Sequence, residues 1–152
     1  MASLRDLANE AVETTRKWLQ QGRELGVVLF CVSFDDKRFL LEPRDILEEN
    51  LMAMVGEALE HFSVQQYIFC AKMTGFRGNL PAGESLHIAS EKEVREQLAN
   101  VEAGTFVMFF GEDVTGAEVC WLYNEDVSEQ LLDGADSTNM QRFLSPKRGM
   151  LH

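Results

Sequence analysis

The sequence predicts an α+β fold: an antiparallel sheet of about five or six strands built from hairpins, with two longer and one or two short amphipathic helices packed on it. Three observations lead there. Apolar residues recur at helical spacing over 3–21 and again over about 45–62. Two pairs of apolar runs, 26–34 with 38–42 and 105–111 with 117–124, each flank a short polar turn, which is the pattern of a β-hairpin. Hairpins pair strands antiparallel, and helices laid on such a sheet make the chain α+β rather than doubly wound.

The first helix buries one face, formed by Leu4, Leu7, Ala8, Ala11, Val12, Trp18 and Leu19. Ser3 is placed to cap it, Asp6 sits in the first turn, and Gly22 ends it. On the opposite face Glu13 stands four residues before Lys17, a favourable order for a solvated ion pair. The run GVVLFCVSF, 26–34, is apolar on both parities, so a strand there is covered on both sides. Asp35, Asp36 and Lys37 turn the chain into RFLLE, 38–42. Asp45 with Glu48 makes a capping pair for the second helix, whose buried face is Leu47, Leu51, Met54, Val55, Ala58 and Phe62.

Residues 64–74 alternate as a third strand, and GFRGNLPAGE, 75–84, with three glycines and a proline, reads as a loop. Residues 85–89 form a short edge strand. Ser90 with Glu93 opens a short helix to about Asn100, and Asp126 with Glu129 caps a last short helix ending at Gly134. Residues 1–136 are thus one domain, and 137–152 a basic, flexible tail docked at most by Met140, Phe143 and Leu144. The chain's 152 residues are enough to bury a core without disulfides or metal.

Charge narrows the function. Residues 1–136 hold 11 basic and 25 acidic side chains, a balance of −14, and the tail adds +3. That surface repels nucleic-acid phosphates and anionic membranes, so neither nucleic acid nor membrane is an expected partner. No apolar run approaches the ~18 residues of a membrane span, and the opening MASLRDLANE lacks the apolar stretch of a signal peptide. A cytoplasmic location is expected. Cys31, Cys70 and Cys120 are odd in number and each sits in an apolar run, so they read as buried, reduced thiols.

Chemistry-bearing motifs are absent or partial. His61, His87 and His152 are isolated, no Cys-x-x-Cys pair exists, and DGADSTN has acids and glycine at the wrong offsets for a calcium loop. No metal and no cofactor is implied. Gly83-Glu84-Ser85-Leu86-His87 matches half of a nucleophile elbow, with His where the last glycine belongs. Three acid pairs, Asp35 with Asp36, Glu112 with Asp113 and Glu125 with Asp126, fall at strand ends, where neighbours point to opposite faces. They read as solvated turns.

No motif names a family, and no catalytic residue is assigned. The reading is a small acidic protein-interaction domain, non-enzymatic and homodimeric, whose acidic surface and basic tail engage a protein partner. Because 105–111 is apolar on both sides, Phe106, Phe109, Phe110 and Trp121 are the expected interface residues, with complete coverage by the chain's own helices as the alternative. A second reading is a small-molecule-binding or enzymatic domain with a pocket near 75–84, lined by Lys72, Arg77, Glu84 and His87. A third is an acidic DNA mimic that inhibits a nucleic-acid enzyme.

Overall fold

A computed structural model describes residues 3–43, 48–80, 83–88, 102–134 and 140–144, with 48, 74–80, 83–88 and 102–103 described by their backbone alone. The elements in chain order are α1 (Leu4–Gln20), β1 (Val28–Ser33), β2 (Arg38–Leu41), α2 (Glu48–His61), β3 (Val64–Leu80), β4 (Gly83–Ile88), β5 (Glu102–Asp113), β6 (Glu118–Asn124) and β7 (Gln130–Asp133). All strands join one antiparallel sheet in the order β2-β1-β3-β5-β6-β7. β4 pairs with the far half of β3. Since β5 runs along one edge of β3 from Gln66 to Arg77, β1 and β4 share the opposite edge, β1 over 64–70 and β4 over 75–80.

Among the described residues the central strands are buried on both faces, as the two-sided apolar pattern of β1 and β5 requires. On one side α1 packs Leu4, Leu7, Ala8, Ala11 and Val12 onto Phe30, Ile68, Cys70, Val107, Phe109, Trp121 and Tyr123. On the other, Val55 and Leu59 of α2 lie over Leu29, Cys31, Tyr67, Phe69, Met108, Phe110 and Leu122, and Leu144 joins the same cluster. Local chemistry sets the start of α1: the Ser3 hydroxyl accepts from the Asp6 N–H while the Asp6 carboxylate accepts from the Ser3 N–H, a reciprocal capping box. Gly22, at φ 79°, turns the chain away after it.

Two expectations are corrected. Residues 75–80 are not a loop but the far end of β3, bridged to β4 throughout and to β5 over 75–77, with Gly75 opposite Gly104. Cross-strand pairing overrides the low strand propensity of glycine. The last short helix is instead a turn followed by β7. The Asp126 carboxylate accepts from the N–H and hydroxyl of Ser128, and Val127 takes φ 61°, a left-handed conformation that no helix can start through. Val127 is fully buried against the α1 side of the core, and Arg16 donates to its carbonyl at 3.0 Å, which together hold that strained residue. The described residues therefore contain two helices and a seven-stranded sheet, where about five or six strands were expected. The expected helix over 90–100 and the capping pair at Asp45 lie outside the described residues.

The three cysteines are buried thiols. Burial pushes the Cys31 and Cys70 thiols up to about 12, the latter against a weak contact with the Thr15 hydroxyl that pulls the other way. In the unfolded chain a thiol ionises near ~8.5, so above that pH the unfolded state binds fewer protons than the folded one. Stability is therefore full below about pH 8.5 and falls, by about 1.4 kcal/mol per pH unit for each thiol, as pH rises toward 12. Urea midpoints measured between pH 8 and 11 are expected to show this decline, and Cys70→Ala to flatten it by one group's share. A midpoint independent of pH over that range would refute the assignment.

Candidate functional site

The four pocket residues inferred from the sequence do not share a loop. Lys72 is exposed on β3, and Arg77 is five residues further along the same strand, roughly 17 Å away at strand spacing. Glu84 and His87 are in β4, opposite Asn79 and Phe76. The loop that was to bring them together is strand. Among the described residues the cleft that stands out lies elsewhere, about 260 Å³ between the end of α1 and the start of β1, lined by Trp18, Arg23, Leu25, Val28 and Glu42. There Arg23 stacks 4.5 Å above the Trp18 ring and pairs with Glu42 at 2.9 Å, so its charge is already balanced within the wall.

The expected interface residues are mostly interior. Phe109, Phe110 and Trp121 are 0, 1 and 3% exposed, covered by α1 on one side and by α2 with residues 140–144 on the other. Phe106 is half-buried at the Asn124 end of the hairpin. The apolar demand of the hairpin is met by the chain itself, and three of the four residues have no surface to offer a second subunit.

The acid pairs separate as strand parity requires, with one reversal. Asp113 closes a turn, accepting from the Thr115 N–H and hydroxyl and the Ala117 N–H. Asp126 does the same for Ser128, and that bonding holds its carboxyl below the usual range. Ser33 likewise lowers Asp35. Glu112, expected in a solvated turn, is fully buried. It continues β5 with the parity of Met108 and Phe110, which aims it into the α2 side of the core. There it accepts from the Tyr67 hydroxyl at 3.0 Å, from the Phe143 N–H at 3.2 Å and from the Leu144 N–H at short range. Burial, then the charge of Glu112, pushes the Tyr67 phenol well above its ordinary value, so the phenol stays protonated as the donor.

A second feature is a set of exposed apolar residues around the β2 edge of the sheet, with Leu40 on the α1 face and Phe62, against Phe39, on the α2 face. Phe34, Leu40 and Phe62 are 61, 45 and 46% exposed. The Phe34 N–H donates to the Ser63 carbonyl at 2.9 Å, which sets Phe34 beside the end of α2. Phe62 in turn lies 5.4 Å from the Phe39 ring and 4.8 Å from the His61 ring. β2 pairs only with β1 among the described strands, so its outer backbone groups face away from the sheet. Sequence pattern placed Phe34 in a covered strand and Phe62 on a buried helix face; both lie at element ends, where periodicity stops reporting burial.

Among the described residues no group of three His, Cys, Asp or Glu side chains converges to hold a metal ion, and no helix is long and apolar enough to cross a membrane. Comparison with protein-family models, curated proteins and solved structures finds no match.

Proposed function

We propose that this chain is a non-enzymatic protein-interaction domain that self-associates through the outer edge of β2. The observation that carries the reading is the edge itself, Arg38-Phe39-Leu40-Leu41 followed by Glu42, bordered by exposed Phe34 and Phe62. An edge strand is a template for pairing, and natural proteins blunt it with charge, proline or a cover. The centre of this one carries a half-exposed leucine.

Its sequence is self-complementary. In an antiparallel pair centred on a two-fold axis at Leu40, Leu40 of one copy meets Leu40 of the other, Phe39 meets Leu41, and Arg38 meets Glu42. Arg38 and Glu42 are already held along the α1 side of the strand by Glu10 and Arg23, so the cross-copy charges extend existing networks. The backbone bonds supply affinity, and apolar burial comes from Leu40 on the α1 face and from Phe39 with Phe62 on the α2 face.

Light scattering across a concentration series tests this. The wild-type chain is expected to dimerise and Leu40→Lys to remain a monomer with an unchanged melting temperature. Setting two lysines opposite each other costs several kcal/mol, a weakening of about a hundredfold or more. A wild-type chain that stays monomeric at every concentration would sink the reading.

A further inference from the structure

The segment Met140–Leu144 lies without regular secondary structure on the α2 side of the sheet, yet each of its last three residues is read by a separate feature of the groove beneath. Arg142 donates through Nε to Glu118 at 2.6 Å and its guanidinium sits 5.3 Å over the Phe110 ring. Phe143 faces Tyr67, 6.3 Å between ring centres, and fills a slot left open because residue 56 of α2 is glycine. A Cβ there would come within 3.0 Å of the Phe143 ring. Leu144 is 8% exposed in the apolar floor. Glu112 holds the main chain by accepting from two consecutive N–H groups.

We propose that this groove is a docking site for an extended segment of a partner protein bearing a basic, an aromatic and an aliphatic residue in succession, and that Met140–Leu144 occupies it as an internal stand-in. Three arguments support this occupant. The recognition is that of a peptide groove: main-chain capture by one group, side-chain pockets by others. The groove contributes acids, Glu112 and Glu118, in a chain of net charge −11, so its complement is cationic. And a carboxylate serves both states of such a groove, because it supplies the acceptor that the Phe143 and Leu144 N–H groups need when the segment is seated and tolerates water when the segment leaves. Exposed to water, Glu112 hydrates readily, so a carboxylate lowers the penalty of vacating the groove.

The internal segment is tethered to β7 through the six residues 134–139, which gives it an effective concentration on the order of millimolar. A foreign segment therefore competes poorly until the internal contacts are weakened. The probe is a fluorescein-labelled peptide with the sequence of residues 138–146, titrated into full-length chain and read by anisotropy. Phe143→Ala is expected to bind it at least tenfold more tightly than the wild-type chain, while the same peptide carrying F143A shows no gain. Arg142→Glu leaves the aromatic slot filled and loses the Glu118 pair, and is expected to show a smaller gain in the same direction. It decides the matter if Phe143→Ala does not fold by circular dichroism. Peptide binding no tighter in the folded variants than in wild type overturns the proposal. A dimer that persists in Leu40→Lys and disappears in Phe143→Ala also overturns it, because that result assigns the groove to the same segment of a second copy. Failure of the β2 edge to pair leaves this outcome unaffected.

Discussion

Glu112→Ala is expected to destabilise the fold by about 3–5 kcal/mol, because it leaves several buried donors unsatisfied at about 1–3 kcal/mol each. The side chain is fully buried and accepts from Tyr67, Phe143 and Leu144. Alanine leaves those three donors without that acceptor and opens a void between β5 and the 140–144 segment. Each buried donor left unsatisfied costs about 1–3 kcal/mol, and because the three share one carboxylate their costs do not add in full. Glu112→Gln keeps one carbonyl oxygen but turns an amide N–H2 toward the remaining donors, so it falls between, at about 1–3 kcal/mol. Urea unfolding of the three chains gives the order directly. If Glu112→Ala lies within about 1 kcal/mol of wild type, the donors are finding water and the network does not hold the segment. In a Tyr67→Phe background one donor is already gone, so the Glu112→Ala penalty shrinks; an unchanged penalty would place the coupling elsewhere.

The contrast between Glu112 and its neighbour shows which parts of this protein were legible in sequence. Strand parity separates Glu112 from Asp113 correctly, since one points into the core and the other closes a turn. What parity lacked was the length of β5, which runs to Asp113 instead of stopping at 111. The groups that make a buried acid tolerable come from residues 31 and 32 positions away, and no local pattern reports them. The same divide runs through the fold. The capping box at Ser3 and the two-sided burial of β1 follow from neighbouring residues and were readable. The strand state of 75–80 depends on Ala103 and Glu102 across one edge and on β4 across the other, and composition argued against it. β7 was obscured differently: Asp126 is a good helix cap by composition, but its carboxylate bonds two residues on and Val127 takes φ 61°. For the candidate surfaces, two-sided apolarity in 105–111 announced that both faces need cover and could not say that the chain provides it. The exposure of Phe34 and Phe62 arises where elements end, and the edge status of β2 is a property of strand order, which sequence did not reveal.

Gly111→Ala is expected to be the most disruptive single methyl in the described sheet, at about 3 kcal/mol, the upper end of the usual range for overpacking. Gly111 sits opposite Ile68 where β3 and β5 pair, and a Cβ built there falls 2.3 Å from the Ile68 Cδ1 and 2.4 Å from the Tyr67 carbonyl oxygen. The two clashes differ in kind. A side-chain tip can rotate away, whereas the carbonyl belongs to a strand paired on both edges and moves only if strands separate. Trimming Ile68 to valine, which removes Cδ1, is therefore expected to recover less than half of the loss in the Gly111→Ala background. Full recovery would show that the side chain alone sets the cost. Gly26→Ala is the matched control, because a Cβ there meets nothing within 4 Å, and its effect is expected to stay within about 0.5 kcal/mol. The position also bears on Glu112: forcing β5 away from Tyr67 at residue 111 lengthens the bond from the Tyr67 hydroxyl to the next residue. Gly111→Ala should therefore loosen the 140–144 segment as well as the sheet, and faster amide exchange at Phe143 and Leu144 in the folded variant would register it. Exchange unchanged at those two amides would mean that Glu112 holds the segment independently of the β3–β5 spacing.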